Sequence, residues 1–150
     1  MTARRSLSLL LGLVLTLGLL APTTALAKDL ERTRVSLVNT GEDGDASGHA
    51  EYRVRKKNRS SFKVEAEDLD PANYDVTVGG IVQGVLDVRV LRDGRVQGEI
   101  EFDTKSQRNK QPLDFDPRGQ LITVERAGIV YLQVVFPPST GGTGTGSCPQ

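Results

Sequence analysis

Between Gly84 and Asp103 the chain reads GVLDVRVLRDGRVQGEIEFD, with Leu86, Val88, Val90, Val96, Gly98, Ile100 and Phe102 at even positions and charged or amide residues between them. Side chains of a strand alternate faces with period two, so this stretch has one apolar and one charged face and predicts a β-hairpin. Both arms bury even-numbered residues, so opposed residues must have numbers with an even sum. That rule excludes a two-residue Asp93-Gly94 loop. A three-residue loop, Arg92-Asp93-Gly94, fits a type I turn closed by a left-handed glycine. Val90 then opposes Val96, Val88 opposes Gly98 and Leu86 opposes Ile100.

The device recurs 36 positions earlier, where Gly48, Arg53, Val54, Arg59, Val64 and Glu65 match Gly84, Arg89, Val90, Arg95, Ile100 and Glu101. The loop there is Lys56-Lys57-Asn58, and Asn58 takes the left-handed position that asparagine tolerates well. Ala50, Tyr52, Val54, Phe62, Val64 and Ala66 form its inward set. A third hairpin, Leu121 to Phe136, buries Ile122, Val124, Val130, Leu132, Val134 and Phe136 around an expected loop Arg126-Ala127-Gly128. Three hairpins of one parity predict an all-β fold: an antiparallel β-sandwich of seven or eight strands, with a small β-barrel as the alternative closure.

Residues 1–27 read as a cleaved secretory signal: Arg4 and Arg5, an apolar run from Leu7 to Leu20, then Ala25-Leu26-Ala27. The run is short of the ~20 residues a membrane span needs, and Pro22 follows it. A single domain is expected over residues 28–137 and a flexible Gly/Thr/Ser tail over 138–150. The mature chain is expected to be secreted or periplasmic, with no membrane span. It keeps 17 Lys and Arg against 19 Asp and Glu, which argues against nucleic acid as a partner.

A first strand is expected over Thr33 to Val38, with Val35 and Leu37 inward. Asp43, Asp45 and Ser47 then occupy alternate positions of a D-x-D-x-S-G loop, so their oxygens are candidate ligands for calcium. The twelfth position, Val54, lacks the glutamate of an EF-hand, and the flanks read as strands. A turn built of residues with good turn propensity explains the same letters. No other cofactor is indicated.

After the first hairpin, Leu69-Asp70-Pro71-Ala72-Asn73-Tyr74-Asp75-Val76 has the pattern L-x-P-x-x-Y-x-V. It resembles the turn-and-strand signature of secreted prealbumin-like sandwiches, the carboxypeptidase regulatory-like and Cna-B-type domains. That resemblance implies a proline turn carrying Tyr74 into the core, and a scaffold or spacer role. Gly79-Gly80 reads as a tight turn and Gln83-Gly84 as a bulge. A polar crossover from Thr104 to Pro112 leads to a short strand and turn over Leu113 to Gly119.

Asp103, Asp114 and Asp116 invite an acid and base reading, but catalysis also needs a pocket and positioned partners. His49, the only histidine, falls on the outward face beside Glu51 and is expected to be solvated. One His and one distant Cys cannot build a usual zinc site. Cys148, the only cysteine, can pair only with a cysteine of another chain, giving a disulfide-linked dimer as one expectation. The chain is therefore expected to be a non-enzymatic structural or protein-interaction module, meeting a protein partner through an edge strand. A calcium-dependent binding module and a glycan-acting protein or hydrolase are the alternatives. The last is disfavoured because the chain has no Trp and Tyr52, Tyr74 and Phe102 all face inward.

Overall fold

The computed structural model of the protein describes residues 29–139. The signal-like segment, Cys148 and most of the C-terminal tail lie outside the described residues. Ten strands form: β1 (Glu31–Ser36), β2 (Val38–Asn39), β3 (Ser47–Arg55), β4 (Arg59–Glu67), β5 (Ala72–Val78), β6 (Ile81–Val90), β7 (Val96–Asp103), β8 (Gln111–Pro112), β9 (Leu121–Arg126) and β10 (Ile129–Val135). They lie in one ladder of order β1-β3-β4-β7-β6-β5-β9-β10-β2, with β8 attached to β7. All pairs are antiparallel except β7 with β8.

The fold is all-β, as the alternation requires, with ten strands in place of seven or eight. The ladder is nearly closed and barrel-like. The first sheet (β1, β3, β4, β7) faces the second (β5, β9, β10, β2), and β6 belongs to both. The two faces enclose a core in which Phe62, Val64, Tyr74, Leu86, Ile122, Leu132 and Phe136 are fully buried. Tyr52, Tyr74 and Phe102 all point into it.

At two corners the chain runs from strand to strand directly out of one sheet into the other. At the first, the expected single strand over Thr33 to Val38 is broken. β1 pairs with β3, Leu37 turns inward, and β2 pairs with β10. At the second, β6 pairs with β7 only at Arg89–Gln97 and Val90–Val96, then leaves to pair with β5 from Val88 to Ile81. The expected ladder pairs Val88–Gly98 and Leu86–Ile100 therefore do not form. Instead those residues stack inside the corner, where a Cβ on Gly98 would lie 2.8 Å from Val88 Cγ2 and 2.9 Å from the Asp87 carbonyl oxygen.

The turns follow the even-sum rule in two hairpins of three. Arg55 pairs with Arg59 around Lys56-Lys57-Asn58, although Lys57 as well as Asn58 is left-handed. Val90 pairs with Val96 around the expected loop, with Gly94 left-handed at φ 86°. The third hairpin departs: Ile129 pairs with Arg126, so the loop is Ala127-Gly128, both with positive φ as a type I′ turn requires. A bulge between Val130 and Leu132 restores the inward parity, and the extra residue, Tyr131, packs edge-on to Tyr74 at 5.3 Å. The expected bulge at Gln83-Gly84 and the Gly79-Gly80 turn both form.

The pseudo-repeat has a geometric meaning. Val64 and Ile100, related by the 36-residue offset, are cross-strand partners in the β4–β7 pair. Two antiparallel hairpins paired at equivalent residues are related by a local two-fold axis between those residues. The equivalent glycines, Gly48 and Gly84, are both close-packed: an added Cβ would meet the Glu65 carbonyl oxygen at 2.5 Å and Ile100 Cδ1 at 2.6 Å respectively.

Leu113 and Phe115 form no strand, contrary to expectation, but pack against the core. Phe115 stands edge-on to Phe62 and Phe102 at 5.8 and 5.1 Å. The Tyr74 hydroxyl donates to the Asp70 carbonyl oxygen at 3.0 Å, closing the Pro71 turn. Gly48→Ala should lower the urea midpoint at constant slope, by about 1–3 kcal/mol of stability, because β4 backbone blocks the new methyl. Gly44→Ala, which meets nothing within 4 Å, should leave the midpoint within about 0.5 kcal/mol.

Candidate functional site

The acidic loop is organised by an amide. Asn39 Nδ2 donates to the carbonyl oxygens of Asp43 and Ala46 at 2.6 and 2.8 Å, and its Oδ1 accepts from the Gly41 amide at 2.7 Å. Two carbonyls that could face a cation are thus already bonded. Asp43 Oδ1 accepts from the Asp45 amide at 3.4 Å, and Ser47 opens β3 with an exposed side chain. Among the described residues no three His, Cys, Asp or Glu side chains are grouped to hold a metal ion.

The three candidate acids are not brought together as a catalytic set. Asp103 is 1% exposed. Arg59 donates to both of its oxygens, at 3.3 and 3.1 Å, the Lys105 amide donates at 2.8 Å, and Lys110 stands 3.6 Å away. Burial pushes this carboxyl up, but the Arg59 and Lys105 hydrogen bonds and the nearby cations outweigh it and hold it below its ordinary 3.8. It anchors the crossover after β7. Asp116 is gripped by Arg118, which also lies 3.5 Å from Glu31 on β1 and over the Tyr52 ring at 5.2 Å. Asp114 is exposed.

The outward face of the first sheet is less solvated than its charge suggests. Its rows run Ser36, His49, Glu65, Glu99 and then Arg34, Glu51, Lys63, Glu101. Glu51 is 3% exposed, covered by Arg32 at 3.0 Å and by Arg53. Burial raises its carboxyl, yet hydrogen bonds from Arg53 and Arg32 bring it below 4.5. Lys63 bridges Glu65 and Glu99 at 2.8 and 3.1 Å. His49 is not the solvated residue expected: Arg34 Nη2 donates to Nδ1 at 3.1 Å. Arginine offers only protons, so the ring proton sits on Nε2, 3.4 Å from Glu65. Burial, the leading cause, together with Arg34 and Lys63, holds the imidazole below its ordinary value against Glu65.

The feature unforeseen in the alternation lies at the second corner. Where β6 leaves β7, Ile81 to Asp87 pair only with β5, and Gly98 to Glu101 pair only with β4. Between these two open edges lies a groove of about 450 Å³ lined by Val85, Ile100, Glu99, Glu101, Arg108 and Lys110. Ile81, Val82 and Val85 of β6 are among the most exposed aliphatics of the described chain. The signal was Val85, an apolar residue at an odd position inside an even-parity run.

The chain matches no protein-family model, no curated protein and no solved structure. Among the described residues no helix is long and apolar enough to cross a membrane. Nothing in the described residues supports a disulfide-linked dimer, Cys148 lying beyond them.

Two outcomes are expected. Asp103→Asn should cost about 1.5–3 kcal/mol at pH 7, the worth of charge-assisted bonds to a buried carboxylate. Because the folded carboxyl is depressed, its stabilisation is present above the unfolded value near 3.8 and lost as pH falls through the folded value. The gap between wild type and variant should therefore close in urea titrations run below that pH. Thermal melts in EDTA and in millimolar calcium should coincide; an upward shift in calcium that Asp43→Asn with Asp45→Asn removes would identify a cation site in the loop.

Proposed function

We propose that the protein is an exported, non-enzymatic interaction module that binds another polypeptide along the open edge of β6. The observation that carries this reading is the parting of β6 from β7, which leaves two unpaired strand edges facing a groove. An exposed strand edge presents a row of backbone donors and acceptors that an added strand can satisfy. Native edges are commonly guarded by charge or proline. The stretch Ile81-Val82-Gln83-Gly84-Val85-Leu86 carries neither. Opposite it, Glu99 and Glu101 border the groove and give a docking strand a polar side.

Export is supported by the basic, apolar and small-residue order of residues 4–27. A non-catalytic role is supported by the fate of the carboxylates, since Asp103, Asp116, Glu51 and Glu65 each already hold a cation within 4 Å. Capture from a cell-envelope extract with residues 28–150 should recover a partner that slows amide exchange at Val82 to Leu86. Val82→Lys, which places a charge beside the edge, should weaken that capture about tenfold or more without changing the melt. Capture of no partner, or capture with those amides unprotected, would overturn the proposal.

A further inference from the structure

The outer face of the second sheet differs from that of the first. One row across it reads Val38, Gln133, Thr123, Thr77 and Val82. The Thr77 hydroxyl bonds that of Thr123 at 2.6 Å, and Thr123 in turn donates to Glu125 at 3.3 Å. On one side of this row lie Val135 and Leu121. Val38, Val82, Val85 and Val135 are between 52 and 65% exposed. Thr77 and Thr123 are themselves buried, so the exposed aliphatics stand in groups around them: Val82 and Val85 on β6 beside Asp75, Leu121 with Val135, and Val38 on β2. Clustered exposed aliphatics mark interaction sites.

On the other side of the row, Asp75 and Glu125 are direct cross-strand partners. Like charges so placed destabilise a sheet. Among the described residues neither has a cation within 4 Å, whereas Glu51, Glu65, Glu99, Glu101 and Asp103 on the first sheet all do. None of the residues in these three rows is a cation. A second copy applied through the same face by a two-fold axis would bring only more carboxylate and valine, so it cannot neutralise the pair.

We infer that this face docks a different polypeptide, one presenting a lysine or arginine between aliphatic side chains, the cation seated on Asp75 and Glu125 and the aliphatics on Val38, Val82, Val85 and Leu121. The inference rests on reading the protein as a polypeptide-binding module and specifies the chemistry of the partner on a face adjoining the β6 edge.

The test uses residues 28–150 labelled with nitrogen-15 and three synthetic peptides of equal length, alternating valine with lysine, with serine or with glutamate. The lysine peptide should shift the amides of Thr77, Thr123, Leu121 and Val82 and bind about tenfold or more tighter than the other two, with affinity falling as salt rises. Asp75→Asn with Glu125→Gln should abolish that preference while raising the melting midpoint, because it relieves the repulsion. A raised midpoint separates lost binding from lost folding. Equal binding of the three peptides, or a preference for lysine that survives the double variant, would overturn the inference. Shifts confined to Val82 to Leu86 and indifferent to the double variant would overturn it and leave the β6-edge reading standing. Sedimentation showing a dimer held by this face would also overturn it.

Discussion

A β-ladder that closes on itself must pass its chain through corners, and here everything else depends on how closely two backbones approach at them. At β6 the constraint is met by Gly98, whose missing side chain lets Asp87 and Val88 ride over β7. At the N-terminal corner it is met by Gly48, pressed against the Glu65 carbonyl oxygen, Leu37 and Leu132. With those contacts in place the two inner faces come together and the aromatic residues fill the interior. Phe62 then touches Phe102, Phe115 and Phe136, one from its own sheet and two from the segments that close the end.

The two corners are finished differently. Where β1 has parted from the second sheet, its far end is pinned by Arg118, which ties the Asp116 turn to Glu31 of β1 and to the Tyr52 ring, and reaches Ser139 beyond β10. The second corner has no such residue across its mouth, only the crossover loop along one side. The charged exterior follows the same division. The first sheet satisfies most of its charge internally, down to a glutamate covered by two arginines. The second leaves its aliphatics and two carboxylates to the surroundings.

Parity made much of the fold legible. Even-numbered burial in three hairpins identified the inward aromatics, and the even-sum rule predicted the loops at Lys56–Asn58 and Arg92–Gly94. It failed at Ala127-Gly128, because a bulge at Tyr131 shifts parity within the strand and the rule assumes regular pairing. It failed again for β6, since alternation says which way a side chain points and nothing about which neighbour the strand keeps. Leu113 and Phe115 also alternate, yet they form no strand: Leu113 makes one backbone bond to Asp103 and both pack against the core. The covering of Glu51 and the wedging of His49 were hidden for another reason: both depend on long arginines folding over neighbouring strands, a matter of rotamer and reach.

The split of the N-terminal strand carries a consequence for the order of assembly. β2 and Thr40 find their partners on β10, with the Thr40 hydroxyl donating to the Val130 carbonyl oxygen 90 residues further along the chain. The hairpins can form from neighbours, but this seam cannot be sewn until almost the whole domain is present. Loop closure over such a span is entropically late and slow. β1 can cover β3 as soon as both exist, but β2, made among the first residues, is the last to be locked, and until then β10 waits with one edge bare.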